Sequence, residues 1–598
     1  MCSILAIISN NELSHHLLDQ ASNMLNTTVH RGPDDSDSIV IKDKVYLGSN
    51  RLSIIGLSVE GRMPLKSYNR DCWIVFNGEI YNYKELRLEL QHKGFIFKSS
   101  TDTEVVLNSY LLWGEDFIQK LNGMFAFVIY DFANNKTIAG RDRFGIKPLY
   151  YTFYENSIVY SSDFLVLKKL HSKGMDLNYS ALTAYVKCRF VPGKLTILNN
   201  IFKLEPAEIQ VTEIHNLSQS NKKFWKPVFQ PACFSQSTFN TLLDKAIESA
   251  IQADVQPTIL LSGGLDSSAI LAILHKKGYK NIQNFTCTFS DSKKLKENNK
   301  LFNSITTPNI DEREFAYLIS NKFEYKIESF TIDSNIEKET FLNMQSALGE
   351  PIASPNALGL FLFGQKLKGS TKLSISGTGS DELLGGYQNL YFQDNFSDFN
   401  SQNPLDLLNY FADFDNGGVD PLKYLNQDLL ELNYLNQYTE LSMEGISKEE
   451  FPNELLNQLL IFELAFALPG WELDQADRLF MHNSIELRPA FLDNSFVEYC
   501  LSIPSASKAK KEPLKQAMIN LLPNSILKRE KYPGLGTPFS INDQLWFKEL
   551  KEDLFFNPLD LWDKSYINKL SNVKNSELSF DVLYRLIYLQ SWVKNIAQ

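Results

Sequence analysis

Cysteine is scarce: six residues, at positions 2, 72, 188, 233, 287 and 500. That count and scatter exclude a disulfide scaffold and a CxxC zinc site. Five of them read as ordinary thiols; Cys2 stands apart by position. Positive charge is in deficit, with 59 Lys and Arg against 70 Asp and Glu and a formal net charge of -11. An acidic chain repels phosphate backbones. The run Lys508, Lys510, Lys511 is too short, in a helical-looking segment, to offset that, so nucleic acid is not an expected partner. No apolar run reaches membrane-spanning length. The best, Leu459 to Leu468, is short and contains Glu463. The first residues, MCSILAIISNNELSHH, have neither a basic start nor a cleavage pattern. These absences predict no membrane partner and a cytoplasmic location. Internal repeats and low-complexity tracts are lacking too.

What is present is a globular composition, 44% apolar and 22% charged over 598 residues. That length exceeds what one core usually supports, so at least two domains are expected. Residues 1 to about 211 are rich in short β-branched and aromatic runs punctuated by turns: SILAIIS, VYLGSNRLSII, CWIVFNGEIY, MFAFVIYD, KTIAGRD and LYYTFY. Thr212 to Ser237 is polar, contains Pro227 and Pro231, and reads as an irregular connection. The second domain is expected over 238–598. TILLS (Thr258–Ser262) is apolar without alternation, as suits a parallel strand buried on both faces. A glycine turn follows, then the helical SSAILAILHKKG with Gly278 placed as its cap. KLSIS (Lys372–Ser376) repeats the strand-then-glycine theme, which implies a parallel α/β sheet. From about Leu405 the chain reads as mainly helical. Ser290–Pro308 and Asp413–Glu449 read as mobile surface insertions.

Two constellations carry chemistry. In the first, Cys2 follows only the initiator Met, and removal of Met1 would leave a thiol with an α-amine as its built-in base. Such an amine has a pKa near 8 and is partly neutral at pH 7. FNGEIYNY (Phe76–Tyr83) runs from a strand into a turn. Asn77 offers a side-chain amide and Gly78 an unobstructed backbone N–H, two donors suited to an oxyanion hole. Arg51 suits bidentate capture of a carboxylate, and Asp102 suits an ammonium group. Together they would specify a free amino acid. Taken singly, each has a plainer reading: Asn-Gly is ordinarily a turn, and a lone Arg or Asp is ordinarily a solvated charge.

In the second, LSGGLDSS (Leu261–Ser268) lies between a strand and a helix. Gly263 and Gly264 allow close backbone approach to a phosphate. The hydroxyls of Ser262, Ser267 and Ser268 and the helix N-terminus favour an anion. There is no Walker lysine. SGTGSDELLGGY (Ser376–Tyr387) follows the second strand. Asp266 and Asp381 are suited to hold Mg²⁺ against phosphates, although Asp381 and Glu382 would equally cap a helix. Lys511 could neutralise departing pyrophosphate.

In order and spacing, MCSILAI, HRGPDDS, NRLSI, FNGEIYNY, STDTEV, NGMFAFVIYD and GRDRFGIKPLYY resemble the class II glutamine amidotransferases over roughly the first 165 residues. The resemblance implies an N-terminal nucleophile αββα sandwich with Cys2 as nucleophile. It also implies Arg51 and Asp102 as ligands of the glutamine α-groups, Asn77 and Gly78 as oxyanion donors, and Glu79 as an adjacent glutamine contact. SGGLDSS resembles the pyrophosphate loop of adenylating ATP enzymes, with Leu261, Ser262, Gly263, Gly264, Asp266, Ser267, Ser268, Ser376 and Gly377 as the ATP-binding set. With LDQADRLFMHNSIELRPAFLD and KEPLKQAMINLLP it makes the second half similar to the asparagine synthetase B family from about Phe239 onward. The implied fold there is an α/β parallel-sheet adenine nucleotide α-hydrolase-like domain. The implied reaction is adenylation of aspartate by ATP with Mg²⁺, then attack by ammonia delivered internally from glutamine. A homodimer is compatible with the family. One position departs: the family's Gly-Glu-Gly-(Ser/Ala)-Asp-Glu run reads Gly377, Thr378, Gly379, Ser380, Asp381, Glu382. A threonine hydroxyl is a poor general base, so a related ligase amidating another carboxylic acid is the rival reading. A glutamine-dependent sugar-phosphate transferase would have no use for SGGLDSS. A non-catalytic storage protein would have no use for Cys2, Asn77, Asp266 and Asp381 together.

Overall fold

The structure is a computed structural model that describes residues 2–68, 70–171, 176–290, 311–387, 404–416, 419–442, 454–529, 541–572 and 580–596. Twelve strands build the first domain: β1 (Cys2–Ser9), β2 (Asp35–Ile41), β3 (Val45–Arg51), β4 (Leu65–Lys66), β5 (Cys72–Ile80), β6 (Gly123–Asp131), β7 (Lys136–Arg141), β8 (Tyr150–Tyr154), β9 (Ser157–Ser161), β10 (Ile201–Lys203), β11 (Glu208–Glu213) and β12 (Ser218–Lys223). They form two six-stranded sheets, ordered β10-β8-β9-β1-β3-β2 and β12-β11-β7-β6-β5-β4.

The side-chain period of a strand explains the layering. From β1, Ile4, Ala6 and Ile8 pack between the sheets against Val75, Ala126 and Val128. Leu5 and Ile7 belong to the outer layer with Leu17, Ala21 and Met24 of the helix His15–Thr27. Helices Tyr83–His92 and Asp102–Trp113 flank the second sheet. With both faces covered, SILAIIS needs no polar alternation. The result is the αββα sandwich. The second sheet continues through β12, so the stretch expected to be an irregular connection begins as a strand hairpinned to β11.

The second domain holds β13 (Thr258–Leu260), β14 (Gln283–Phe289), β15 (Ile327–Ile332), β16 (Leu373–Ser376) and β17 (Glu486–Pro489), all parallel in the order β15-β14-β13-β16-β17. The helix Leu265–Lys276 follows β13 and is buried from Ser267 to Leu274. Gly278, at φ 82°, closes it as expected. The short strand β17 interrupts a region read from sequence as helical.

The expected insertion at 291–308 lies outside the described residues, as do 443–449. The described part of 413–449 is neither irregular nor peripheral. It contains the helix Asn433–Ser442, which packs on Tyr179–Cys188 of the first domain. The Tyr434 hydroxyl donates to the Pro192 carbonyl at 2.8 Å, and that hydroxyl and the Tyr438 ring fill the space a side chain at Gly193 would need. Two tyrosines four residues apart in a polar segment proved to be interface anchors rather than surface decoration. Among the described residues no helix is long and apolar enough to cross a membrane.

Candidate functional site

The first constellation assembles at the ends of three strands. Cys2 opens β1 and pairs in register with Arg51, the last residue of β3. Its backbone nitrogen donates to Asn77 Oδ1 at 3.0 Å. Asn77 is fully buried, and its Nδ2 has no hydrogen-bond partner in the structure. An orphaned buried donor costs about 1–3 kcal/mol, so one beside the thiol is what an oxyanion would satisfy. Gly78 lies against β6, where a Cβ would come within 2.1 Å of the Met124 carbonyl oxygen; only glycine fits. Burial pushes the Cys2 thiol above its usual value, with Arg51 pulling the other way.

Arg51 is buried, and its guanidinium donates to the carbonyls of Ile55 (3.1 Å), Gly56 (2.5 Å) and Ser58 (3.2 Å). The loop thus aims the fork without neutralising it. Asp102 begins the helix Asp102–Trp113, which Thr101 caps by accepting from the Glu104 amide. Its carboxylate accepts from the amides of Ile80 (3.0 Å) and Thr103 (2.9 Å). Burial nevertheless pushes its pKa up to about 6. A buried carboxylate that strains to keep its charge has a ready use for an ammonium group.

Glu79, expected as a glutamine contact, commits one carboxylate oxygen elsewhere and leaves Oε1 buried without a partner. Its Oε2 accepts from Arg488 of β17 at 2.7 Å, across the domain boundary. The same boundary is crossed by Asp477, which accepts from Arg31 (2.7 Å) and Lys147 (2.9 Å).

The second constellation lines a cavity of about 290 Å³ at the carboxyl ends of β13 and β16, where open α/β sheets bind ligands. Ser262, Gly264, Asp266, Ser267, Gly377 and Asp381 line it. Ser262 and Ser267 hydroxyls lie 3.1 Å apart, and the Gly264 amide donates to Ser262 Oγ at 3.2 Å. Leu261, Gly263, Ser268 and Ser376 do not line it and support the loop instead. Leu261 gives its amide to Phe285. Gly263, at φ 75°, lets the chain pass Ala316, whose nitrogen would lie 2.5 Å from a Cβ. Ser268 is fully buried within its helix.

Lys511 is the centre of this site. Its ammonium donates to Asp266 at 2.6 Å and pairs with Asp381 at 2.7 Å. Burial alone would depress its pKa, but the two carboxylates outweigh burial and hold it above its ordinary value. Lys510 and Lys511 both adopt left-handed backbone, φ 56° and 59°, a strain of about 1–3 kcal/mol each that persists where the surroundings demand it. The segment read as helical is helical on both sides, Ser505–Lys508 and Glu512–Met518, with this strained turn between them. Lys510, Lys515 and Arg529 complete a cationic rim. Thr378 lines the cavity and accepts from Ser376 Oγ at 3.1 Å, and no carboxylate stands at its position. The nearby acids are Glu382, read from sequence as a helix cap, which accepts from the Tyr387 hydroxyl at 2.7 Å, and Glu472, which sequence reasoning missed.

Fold and site together define a class: an amidotransferase domain joined to a parallel-sheet synthetase domain. Residues 1–225 match the family model described as a glutamine amidotransferase domain, and residues 238–594 match that described as asparagine synthase. The chain belongs to the asparagine synthase family, in its glutamine-hydrolysing, asparagine synthetase B form. It is 29% identical to asparagine synthetase [glutamine-hydrolyzing] 1 of Bacillus subtilis (strain 168), over 95% of this chain and 90% of that one. It is 27% identical to asparagine synthetase [glutamine-hydrolyzing] 3 of the same organism, over 96% and 94%. Amidase chyE of Penicillium rubens (strain ATCC 28089 / DSM 1075 / NRRL 1951 / Wisconsin 54-1255) is 27% identical over 65% of this chain and 59% of that protein.

Proposed function

We propose that this chain is a cytoplasmic carbon–nitrogen ligase. It hydrolyses glutamine at Cys2 and delivers the ammonia to a carboxylate that ATP has adenylated, releasing AMP and pyrophosphate. Residues 1–211 supply the glutaminase and 238–598 the synthetase. Once Met1 is removed, the Cys2 α-amine takes the thiol proton and the thiolate attacks the glutamine side-chain amide. Asn77 Nδ2 and the Gly78 amide receive the oxyanion, Arg51 takes the α-carboxylate and Asp102 the α-ammonium. The amine returns its proton to the amide nitrogen, the C–N bond breaks and ammonia leaves; a water then releases glutamate from the acyl-cysteine and restores the thiol.

The observation that carries the synthetase half is the Asp266–Lys511–Asp381 clasp at the lip of the pyrophosphate loop. A cation between two carboxylates is poised to turn toward phosphate oxygens as they arrive. That also fits Mg²⁺: Asp266 and Asp381 are a hard-oxygen pair of the kind that ion shares with substrate phosphates. Among the described residues no three-ligand cluster exists that would hold it without them. When bound, Mg²⁺ supplies charge neutralisation of the phosphates. Lys511 then stabilises the leaving pyrophosphate, and the Ser262, Gly264 and Ser267 donors orient it.

Aspartate is the default acceptor. Thr378 favours a second reading, in which another carboxylic acid is amidated. The test is a panel of carboxylic acids with ATP, Mg²⁺ and ammonia, read as pyrophosphate release and amide formation. Aspartate alone should respond under the first reading and another acid under the second. ADP and phosphate as products would refute both.

A further inference from the structure

Arg488 has no part in the chemistry above, yet it is among the most completely enclosed charges in the molecule. Nε donates to Glu486 Oε1 at 2.5 Å, Nη1 to the carbonyls of Ala250 (3.0 Å) and Gln252 (2.6 Å), and Nη2 to Glu79 Oε2 at 2.7 Å. Three of these partners belong to the synthetase domain. Glu79 belongs to the glutaminase, 409 residues away in sequence.

The place of Glu79 on β5 gives the bond its meaning. Asn77, two residues before it, holds the Cys2 nitrogen. Gly78, directly before it, is wedged against β6 with no room to shift inward. Ile80, directly after it, gives its amide to Asp102. Any rotation of β5 about Glu79 would therefore disturb the oxyanion donors and the ammonium ligand together. On the other side, Arg488 is in register with Ile375 of β16, two residues before Gly377 of the cavity lining. Glu79 also keeps its second oxygen, Oε1, buried with no partner in the structure, an unfavourable state that the Arg488 bond to the first oxygen holds in place. Two carboxylates share one guanidinium here. Burial and the neighbouring Asp102 push the Glu79 carboxyl well above its usual range. At Glu486 burial pushes the same way, but Arg488, with the N-terminal amine and Lys147, holds that group below its ordinary value.

We propose that Arg488 is a positioning residue of the glutaminase site. It acts from the synthetase domain by fixing Glu79, and through it the stretch of β5 that carries Asn77, Gly78 and the Ile80 amide. The inference rests on the reading of Cys2 as a glutaminase nucleophile. Why a charge pair should do this follows from physics. A buried ion pair adds little net stability over an apolar pair of equal volume, but its geometry is directional. A guanidinium fork held on three sides can set the fourth, whereas a lysine point charge cannot.

The test is R488K in the full-length enzyme, which keeps the charge and loses the fork. Glutamine hydrolysis is measured without ATP, and ammonia-dependent pyrophosphate release separately. The expected result is a fall in glutaminase kcat of about tenfold to a hundredfold, the range for a small misplacement of reacting groups. KM for glutamine should rise, and ammonia-dependent release should stay within about twofold of wild type. E79D, which shortens the other side of the bond, should show the same kcat and KM pattern at a normal melting temperature, and it serves if R488K does not fold. Unchanged glutaminase kcat and KM in either folded variant would overturn the proposal. So would an equal loss of ammonia-dependent release in R488K, which would mark a merely structural role. Wild-type enzyme that hydrolyses no glutamine would overturn the reading beneath the proposal, and the proposal with it.

Discussion

Replacing Lys511 by methionine removes one buried cation from between a half-buried carboxylate, Asp266, and a buried one, Asp381. The lysine side chain is 6% exposed, and its partners Asp266 and Asp381 are 18% and 9% exposed. Removing one partner of a buried pair costs about 3–5 kcal/mol, because the remaining charges lose their compensation. Here two carboxylates are stranded instead of one, which favours the upper end. The left-handed strain at position 511 stays, since methionine tolerates φ 59° no better than lysine. A change of 1 kcal/mol shifts Tm by about 2–4 °C in domains of 150–250 residues, and by less in a larger one. The synthetase transition of K511M should therefore fall by about 5 °C in EDTA. Mg²⁺ should recover part of that loss, because the empty pair of carboxylates becomes a better divalent site than the clasped one. Pyrophosphate release should fall by at least about 10²-fold, the scale for losing one preorganised electrostatic group, and Mg²⁺ should not restore it. Differential scanning calorimetry with and without Mg²⁺ reads the first effect, and a coupled pyrophosphate assay reads the second. A K511M melting temperature within 1 °C of wild type in EDTA would refute the clasp as an energetic feature.

Three further outcomes are expected. C2A should lose glutamine-dependent synthesis and keep ammonia-dependent synthesis. Retained glutaminase in C2A, or an intact Met1 on active enzyme, would remove Cys2 from its role. Burial pushes the Asp102 carboxyl up to about 6, so below that pH it is neutral and loses its attraction for an α-ammonium. KM for glutamine should climb as pH falls through about 6, while D102N should show a high KM without that limb; a flat wild-type profile from pH 5 to 7 contradicts the assignment. T378E restores an acid to the cavity wall. If aspartate is the acceptor and wild type is slow for want of a base, it should raise asparagine formation by ~10²–10⁴-fold at similar adenylation, the worth of a general base; no gain over a wild type that makes no asparagine would exclude aspartate.

The strands of the first domain were legible because their chemistry is local. SILAIIS, MFAFVIYD and CWIVFNGEIY are β-branched and aromatic whatever lies beside them. The pyrophosphate loop was legible for the same reason, since strand, glycine pair and helix start are contiguous. What stayed hidden depends on partners far away in sequence. Asp477 reads as one more acid on a helix until Arg31 and Lys147 meet it. The left-handed turn at Lys510 and Lys511 has no glycine or asparagine to announce it. It exists because Asp266 and Asp381, brought together by β13 and β16, hold the lysine where its own propensity would not. Tyr434 and Tyr438 lie in a polar stretch and declare themselves only against Gly193.

Arg488 did leave one faint signal. Glu486 and Arg488 are two apart in the string ELRP, so in a strand they fall on the same face, and a charged pair on one face of a short parallel strand calls for a buried partner. Sequence alone could not name that partner, because Glu79 already had a plausible local use beside Asn77 and Gly78. The conflict resolves on energetic grounds. A guanidinium enclosed by the fold cannot go unpaired, and Glu486 alone leaves its Nη2 without an acceptor. Glu79 meets that claim with Oε2 alone, and its buried, unpartnered Oε1 leaves the glutamine contact compatible with it. An interface built from Glu79–Arg488, Asp477–Arg31 and Asp477–Lys147 gains less stability than an apolar seam would give, but each directional bond fixes the orientation of one site relative to the other. The proposed passage of ammonia from one site to the other requires that orientation.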